Sequence, residues 1–417
     1  MGDIVLISIT GKDRKGLTAR VSTILAQYQV TILDIGQAVI HEHISLGMLV
    51  DIPCSQNFSL MFKDLIFEGH KMGLAVDVVP VDSNEYETWV QTQNKERRII
   101  TVMGQAITTA QISAVSSVIT DHDLNIDSIT RLSGRRSLKK PSQSPMACIQ
   151  FAVSGTPRSI PEMKGRFIHI SRDLGIDISF HEDNIYRKNR KLVVFDMDST
   201  LIQAEVIDEL AKLAGVGDQV AQITESAMRG EIDFKQSFRR RVALLKGLKE
   251  KDIQGLARTL PLTDGADLVT RTLKRLGYKL AILSGGFTFV GNYLKQTLGF
   301  DYVFANTLEI ENGEVTGRVT GEIVDGQKKA ELLRQLAKKE NLSIQQTIAV
   351  GDGANDLPMI SIAGLGVAFN AKPIVREKAA NAISTMGLDG LLFLLGIHER
   401  EIPDPNPPSE TMTGFIS

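Results

Sequence analysis

Four short apolar runs decide most of what the C-terminal half of this chain can fold into. They are "LVVFDMD" (192–198), "KLAILSGG" (279–286), "TIAVGDG" (347–353) and "LGVAFNA" (365–371). Each is nearly continuous in hydrophobic residues and ends abruptly in carboxylates, a hydroxyl, an amide or glycine. A strand with one wet face alternates apolar and polar residues, whereas a strand covered on both faces reads as an unbroken apolar run. Amphipathic stretches such as "LVTRTLKRLG" and "KAELLRQLAKKEN" separate them. Strands alternating with helices in this way predict an α/β domain built on a doubly wound parallel sheet, over about 190–400. The segment from about 203 to 265 is helical in pattern and too long for a simple crossover, so it reads as a cap inserted over the strand ends.

The N-terminal half follows a different rule. "IVLISIT", "TILDIGQAVI", "ISLGMLVDI" and "LAVDVVPV" read as strands, with helices near Leu17 and over Ser59–Lys71, the latter closed by Gly73. The order is βαββαβ over about 1–90, and it recurs over about 95–185. His41 and His43 share one side of a strand end, where a polar hairpin is the simpler reading than a metal site. Two helices on one face of an antiparallel sheet make a small α+β domain. The tandem pattern, with its strand–loop–helix "ITGKDRKGLTA", resembles ACT domains, the amino-acid-sensing modules of metabolic enzymes. The resemblance makes Asp13 and Gly16 candidates for holding a regulatory amino acid such as serine. The second loop, "MGQAITTA", lacks the acid and the bases. Edge strands of such modules invite pairing between chains, so a homodimer or higher homo-oligomer is expected.

Composition sets the outer limits. The chain has 417 residues, 23% of them charged, and a net charge of −2. That balance gives no electrostatic reason to bind nucleic acid or an anionic membrane. Two cysteines, Cys54 and Cys148, are too few for a disulfide framework or a zinc site. No basic leader precedes the first strand, and "LLFLLGI" is too short to span a bilayer. A cytoplasmic protein is expected. The Pro-rich end, 403–417, reads as disordered.

The strand ends carry the chemistry. In parallel α/β sheets ligands bind beyond the carboxyl ends of the strands. Asp196 and Asp198 alternate along an extended segment there, so both carboxylates face one side and repel unless a cation intervenes. A Mg²⁺ ion would relieve that repulsion and hold a phosphate nearby. Ser284, with Gly285 and Gly286, offers a hydroxyl and approachable backbone N–H groups. Lys329 could neutralise a phosphate oxygen. Asp352, Asn355 and Asp356 add hard oxygen groups. Singly these signals are weak; in this order on successive strands they are specific.

The third block resembles the haloacid dehalogenase-like phosphatases, and within them the branch acting on phosphoserine. The resemblance implies that Asp196 is a nucleophile forming an aspartyl phosphate and that Asp198 is the general acid and base. It implies Mg²⁺ held by the Asp196 side chain, the Asp198 carbonyl and Asp352, with Asp356 behind them. Ser284, Gly285 and Lys329 would steady the phosphoryl group, with Asn355 close by. In the cap it implies Glu205 for a substrate ammonium, Arg241 for its carboxylate, Phe234 to exclude water and Met228 to pack on the ligand. Taken alone, Glu205 would be a helix-start acid, Arg239, Arg240 and Arg241 a solvated face, and Met228 and Phe234 core residues. The implied reaction is hydrolysis of O-phospho-L-serine, the last step of serine biosynthesis. Related amino-acid phosphates (phosphothreonine, homoserine phosphate) and a sensor with a vestigial phosphatase domain are the alternatives.

Overall fold

The structure is a computed structural model and describes residues 3–53, 58–93, 95–137, 139, 146–379 and 381–402. The tail expected to be disordered, 403–417, and Cys54 lie outside these residues. The chain separates into two compact units, residues 1–95 and 96–417.

The first unit runs β1 (Asp3–Lys12), α1 (Leu17–Gln27), β2 (Thr31–Ile40), β3 (His43–Ile52), α2 (Phe58–Lys71), β4 (Leu74–Val81) and α3 (Ser83–Thr92). Its antiparallel sheet has the order β2-β3-β1-β4. Alternate residues of β1 and β3, such as Ile7, Ile9, Leu46 and Met48, bury against Leu17, Val21 and Leu25 of α1 and Met61 and Leu65 of α2. Strand β2 is different: Ile32, Ile35 and Ile40 are exposed. His41 and Glu42 form the turn between β2 and β3, with Ile40 paired to His43. Helix α3 has no counterpart among the elements expected from sequence. It buries no residue and is started by the Asp82 side chain, which accepts from the backbone N–H of Asn84. A helix stabilised by its cap leaves little hydrophobic pattern to read.

The second unit opens with the same topology. It runs β5 (Arg97–Gly104), α4 (Thr109–Asp121), β6 (Asn125–Arg131), β7 (Ala147–Ser154), α5 (Ile160–Leu174) and β8 (Asp177–Glu182), in sheet order β6-β7-β5-β8. One sheet face packs on α4 and α5 through Ile100, Val102, Phe151 and Phe167. Behind it Ile99, Thr101 and Met103 of β5 are buried, while Ser128 and Thr130 of β6 stay exposed. Met103, Leu132 and Cys148 belong to the same apolar core as Phe195 and Leu391 further along the chain. The connection "NIYRKNRK" is exposed at Ile185 and Lys188 but anchored at two arginines. Arg187 and Arg190 are buried, Arg187 donating to the Gln150 side chain at 2.8 Å and Arg190 to the Gly364 carbonyl at 3.3 Å.

The remainder is the parallel sheet. After β9 (Leu192–Phe195) come four cap helices, α6 (Val206–Leu213), α7 (Gly217–Met228), α8 (Phe234–Ala243) and α9 (Glu250–Ala257). Then follow α10 (Ala266–Arg275), β10 (Lys279–Phe287), α11 (Thr288–Leu298), β11 (Tyr302–Glu311), β12 (Glu314–Thr320), α12 (Gly326–Lys339) and β13 (Thr347–Gly351). The chain ends with α13 (Leu357–Ile362), β14 (Leu365–Phe369), α14 (Pro373–Lys378), β15 (Asn381–Ile383) and α15 (Gly390–Leu394). The strand order is β12-β11-β10-β9-β13-β14-β15, parallel except for β12. Strand β9 lies between β10 and β13, where the winding reverses, which opens a crevice at its carboxyl end. The β11–β12 hairpin was not anticipated from sequence; Val315 exchanges backbone bonds with Gly247 and Leu248 and so braces the cap.

Candidate active site

Asp196 stands one residue beyond β9, fixed by its backbone N–H donating to Val350 O at 2.8 Å. Its Oδ1 accepts from the Met197 N–H at 2.7 Å and from the Lys329 ammonium at 2.8 Å. Both contacts fall on one oxygen, which leaves Oδ2 for the cleft. Lys329 is fully buried on α12 and also donates to Asp356 Oδ1 at 2.7 Å. Burial opposes its charge, but the two carboxylates outweigh burial and hold it protonated.

Asp198 is set apart from its neighbour. Its side chain is enclosed, and Oδ1 has no hydrogen-bond partner. Burial first, then the charges of Glu205 and Asp196, push its pKa well above the ordinary carboxylate range. One aspartate is therefore tied to an ammonium, while burial and neighbouring charge bias the other toward its protonated form. That division is what a nucleophile and a proton donor require.

Asp196, Asp352 and Asp356 each bring a carboxylate oxygen to within 4.8 Å of the others. Burial, and then the charge of Asp196, raises Asp352 to about 8 and Asp356 to about 7. Such a crowd of buried acids fits a hard divalent cation, whose charge would offset the repulsion. The Asp356 oxygens are already engaged by Lys329 and by the Gly353 N–H at 3.0 Å. Asp196 and Asp352 are the freer donors. Thr200 donates to Asp352 Oδ1 at 3.0 Å and fixes its orientation.

Ser284 ends the regular part of β10, and its Oγ accepts from the Gly286 N–H at 2.8 Å. Glycine is needed at 286 because a Cβ would lie 2.6 Å from Met197 Cε and 2.9 Å from Asp198 Oδ2. A Cβ at Gly285 would reach Phe234 Cζ of the cap at 3.3 Å. The cap thus closes directly over the strand end. Phe234 and Phe238 stack with centroids 6.1 Å apart, and Phe238 lies 5.8 Å from Phe287, which makes an aromatic wall.

Further along α8, Arg239 and Arg240 are exposed, while Arg241, three residues after Phe238 on the same helix face, lines the cleft. Among the described residues no ion pair holds it; Nε has no partner and Nη1 meets Thr224 Oγ1 at 3.5 Å. Burial lowers its pKa despite the attraction of Asp208, Glu205 and Asp198. Glu205 precedes α6 and accepts from Ser199 Oγ at 2.7 Å. Ser199 adopts φ +54°, a left-handed conformation uncommon for serine, to make that turn. Asn355 also lines the cleft, a space of about 100 Å³.

Of the residues expected from sequence, Asp196, Asp198, Glu205, Phe234, Arg241, Ser284, Gly285, Asp352 and Asn355 line this one cleft. Lys329 and Asp356 lie beneath it. Met228 closes α7, and its side chain is outside the described residues. Asp13 and Gly16 sit in the β1–α1 loop of the first unit. Asp13 is exposed there, with its N–H on Glu42 O, and Gly16 takes φ +84° to start α1. Ser199, Thr200, Ile207, Phe238 and Phe287 were missed. The hydroxyls were in plain view in "DMDST", and Phe238 falls four residues after Phe234 on the same helix face.

Comparison with known proteins agrees with this geometry. Residues 190–364 match the haloacid dehalogenase-like hydrolase family, and residues 3–79 and 97–181 each match ACT domains. A phosphoserine phosphatase of Streptomyces coelicolor is 41% identical over 95% of this chain and 93% of its own length. One of Mycobacterium tuberculosis is 39% identical over 95% and 94%. A crystal structure of a haloacid dehalogenase family hydrolase from Salmonella enterica serovar Typhi is 32% identical. It superposes with a TM-score of 0.61 over 72% of this chain and 98% of its own. With likeness running nearly end to end through both ACT domains and the catalytic sheet, the chain belongs to the phosphoserine phosphatase family of haloacid dehalogenase-like hydrolases.

Proposed function

We propose that the chain hydrolyses O-phospho-L-serine to L-serine and phosphate. The observation that carries this reading is the polarity of the cleft. Asp198, its pKa pushed upward by burial and by Glu205, stands beside an Asp196 tied to an ammonium, and Arg241, with no ion pair among the described residues, lines the same cleft with Glu205. Asp196 Oδ2 attacks phosphorus while Asp198 gives its proton to the departing seryl oxygen, so the P–O(Ser) bond breaks as serine leaves neutral at that oxygen. Asp198, now ionised, takes a proton from water as that water attacks the aspartyl phosphate. This releases phosphate and restores both side chains. Ser284 Oγ, the backbone N–H of Gly285 and the Lys329 ammonium stabilise the charge spread over the equatorial oxygens. Asn355 stands beside them. Asp196, the carbonyl of Asp198 and Asp352 would hold Mg²⁺, with Asp356 as support, and the ion supplies charge neutralisation between carboxylate and phosphate. Glu205 takes the ammonium and Arg241 the carboxylate in a bidentate pair. Phe234 keeps water out, and Met228 packs on the ligand.

The free, buried Cys148 thiol suits a reducing compartment, and we read the enzyme as cytoplasmic. Among the described residues no helix is long and apolar enough to cross a membrane. The exposed apolar residues of β2 suit a homodimer formed through the first ACT domain. A regulatory amino acid, serine being the candidate, would bind that domain at Asp13 and Gly16.

The test is phosphate release from L-phosphoserine, L-phosphothreonine and para-nitrophenyl phosphate, with Mg²⁺ and with EDTA. Preference for phosphoserine is expected, lost with EDTA and in Asp196→Asn. Arg241→Ala should cost phosphoserine at least tenfold in kcat/KM and leave para-nitrophenyl phosphate nearly unchanged. Equal losses on both substrates would sink the assignment of Arg241.

A further inference from the structure

A second cavity, of about 180 Å³, lies within the second unit, between α5 of its ACT domain and α14 with β15 of the catalytic sheet. By the same measure the active-site cleft is about 100 Å³. The second cavity therefore has room for a metabolite of amino-acid size. Lys164, Phe167, Ile168, Ser171 and Arg172 recur at helical spacing and bring one face of α5 to it. From the far side come Arg376, Ala379 and Ala382.

Its walls are braced apart. Asp177 accepts from the backbone N–H groups of Ser384 and Thr385 at 2.8 and 2.7 Å and from Thr385 Oγ1 at 2.7 Å. Ser179 Oγ donates to Asn381 Oδ1 in the next layer. These directional bonds tie β8 to β15 and to the residues that follow it, and so fix the joint beside the space. A gap in a packed joint costs stability, and a joint this well bonded has no need of one.

The charges around it are unbalanced. Among the described residues no carboxylate lies within ion-pair distance of Lys164 or Arg376, which are both half-buried. Arg376 has only Ser384 Oγ at 3.5 Å. Arg172 is already paired with Asp173 at 3.0 Å. Of the acids present, Asp177 is bonded to Ser384 and Thr385 and feels Arg376 only beyond ion-pair distance, and Glu377 is exposed. Apart from Ser171 and Asn381, the remaining surface is apolar, with Phe167, Ile168, Phe180 and Ala379 prominent. Apolar walls with a few converging charges at a domain joint make a small-molecule site.

We infer that this cavity binds a small carboxylate with an apolar side group, its acid met by Lys164 and Arg376 and its body laid against Phe167, Ile168 and Phe180. The site is distinct from the β1–α1 loop of the first ACT domain and from the catalytic cleft, and it stands whether or not phosphoserine is the substrate. Occupancy would couple ligand concentration to the joint that carries β14 and β15.

The probe pair is 3-phenylpropionate and phenethylamine, which share an apolar body and differ in the sign of the charged end. Each is titrated calorimetrically into the full chain with Mg²⁺ present. Binding of 3-phenylpropionate is expected, with none from phenethylamine. Arg376→Glu should weaken it at least tenfold, and Ile168→Trp, which fills the space, should abolish it. Phosphatase rates without probe should stay within twofold in both variants, which shows that they fold. Three results would overturn the inference: no binding of 3-phenylpropionate, equal binding of the amine, or binding that survives both substitutions.

Discussion

The two ACT domains share one topology and are used in opposite ways. In the first, one sheet face meets its helices, and β2 carries exposed Ile32, Ile35 and Ile40. In the second, the corresponding helices are present, but Met103, Leu132 and Cys148 are drawn into the core of the catalytic domain. Asp177, Ser179, Arg187 and Arg190 add polar bonds across that joint. A βαββαβ module has one face to bury and another to spare. The first domain keeps its spare face available, and the second gives part of its own to the enzyme's frame, while its edge strand β6, with Ile129 exposed, stays as open as β2. Resemblance of fold therefore does not carry equality of role.

Truncation should separate the two most strongly. A chain of residues 96–417 should keep kcat/KM for phosphoserine within about threefold, because the second unit has its own core. Removing 1–185 uncovers the surface that met Met103, Leu132 and Cys148. Losing three such buried contacts costs on the order of 5 kcal/mol. That corresponds to a fall in Tm of roughly 10 °C or more. Equal melting of the two truncated chains would break the comparison.

A matched pair of substitutions sharpens it. Leu132→Asp buries a charge without a partner and should destabilise the second unit by about 3–5 kcal/mol, read by urea unfolding of the 96–417 chain. Ile35→Asp should leave Tm within about 1 °C and, if the proposed β2 interface forms, shift sedimentation toward monomer, since it places like charges on that strand edge. A dimer that survives Ile35→Asp would remove the β2 surface from the interface.

Legibility differed between the regions for physical reasons. The parallel strands were readable because burial on both faces leaves unbroken apolar runs, and "LVVFDMD" marks both the strand and its reactive end. The ACT repeat was readable from helical spacing such as Leu17, Val21 and Leu25. The joint was not. Nothing in "NIYRKNRK" tells that Arg187 and Arg190 are buried, because an arginine looks the same on a wet linker and on a carbonyl such as Gly364 O. Ser199 was hidden in another way: its contribution depends on a positive φ that brings its hydroxyl to Glu205, six residues on. Side chains whose partners lie far off in sequence are legible only once the chain has folded.

Metal should report on the same division. Without a cation Asp352 is held at about 8, against an ordinary value near 4. Between those values the folded state binds the extra proton, so its stability falls as pH rises, until a cation replaces the proton. The rise in Tm on adding Mg²⁺ should therefore be larger at pH 8.5 than at pH 6.5. It should appear in the melting of the second unit, its ACT domain included, and not in that of a separately expressed 1–95 fragment. A shift that does not depend on pH would mean that Asp352 holds no proton for the metal to displace.

The smallest expected effect also distinguishes the domains. His181 of β8 is half-buried, with Nε2 shut off from water and unpartnered, and burial together with the charges of Arg187 and Arg190 lowers its pKa to about 3. An unfolded histidine titrates near 6.5. Above that value both states are neutral and the residue carries no penalty. As pH falls from 6.5 toward 3, the unfolded chain takes up a proton that the folded chain refuses, so stability is lost over that window. The histidines of the first domain, His41, His43 and His70, are exposed. Acidification from pH 7 to pH 5 should therefore lower the Tm of a 96–417 chain more than that of the same chain carrying His181→Gln. The expected difference is a few degrees, since at pH 5 the unfolded histidine gains about 2 kcal/mol from protonation. Parallel Tm–pH curves for the two chains would place His181 in contact with water and weaken the case for a closed joint.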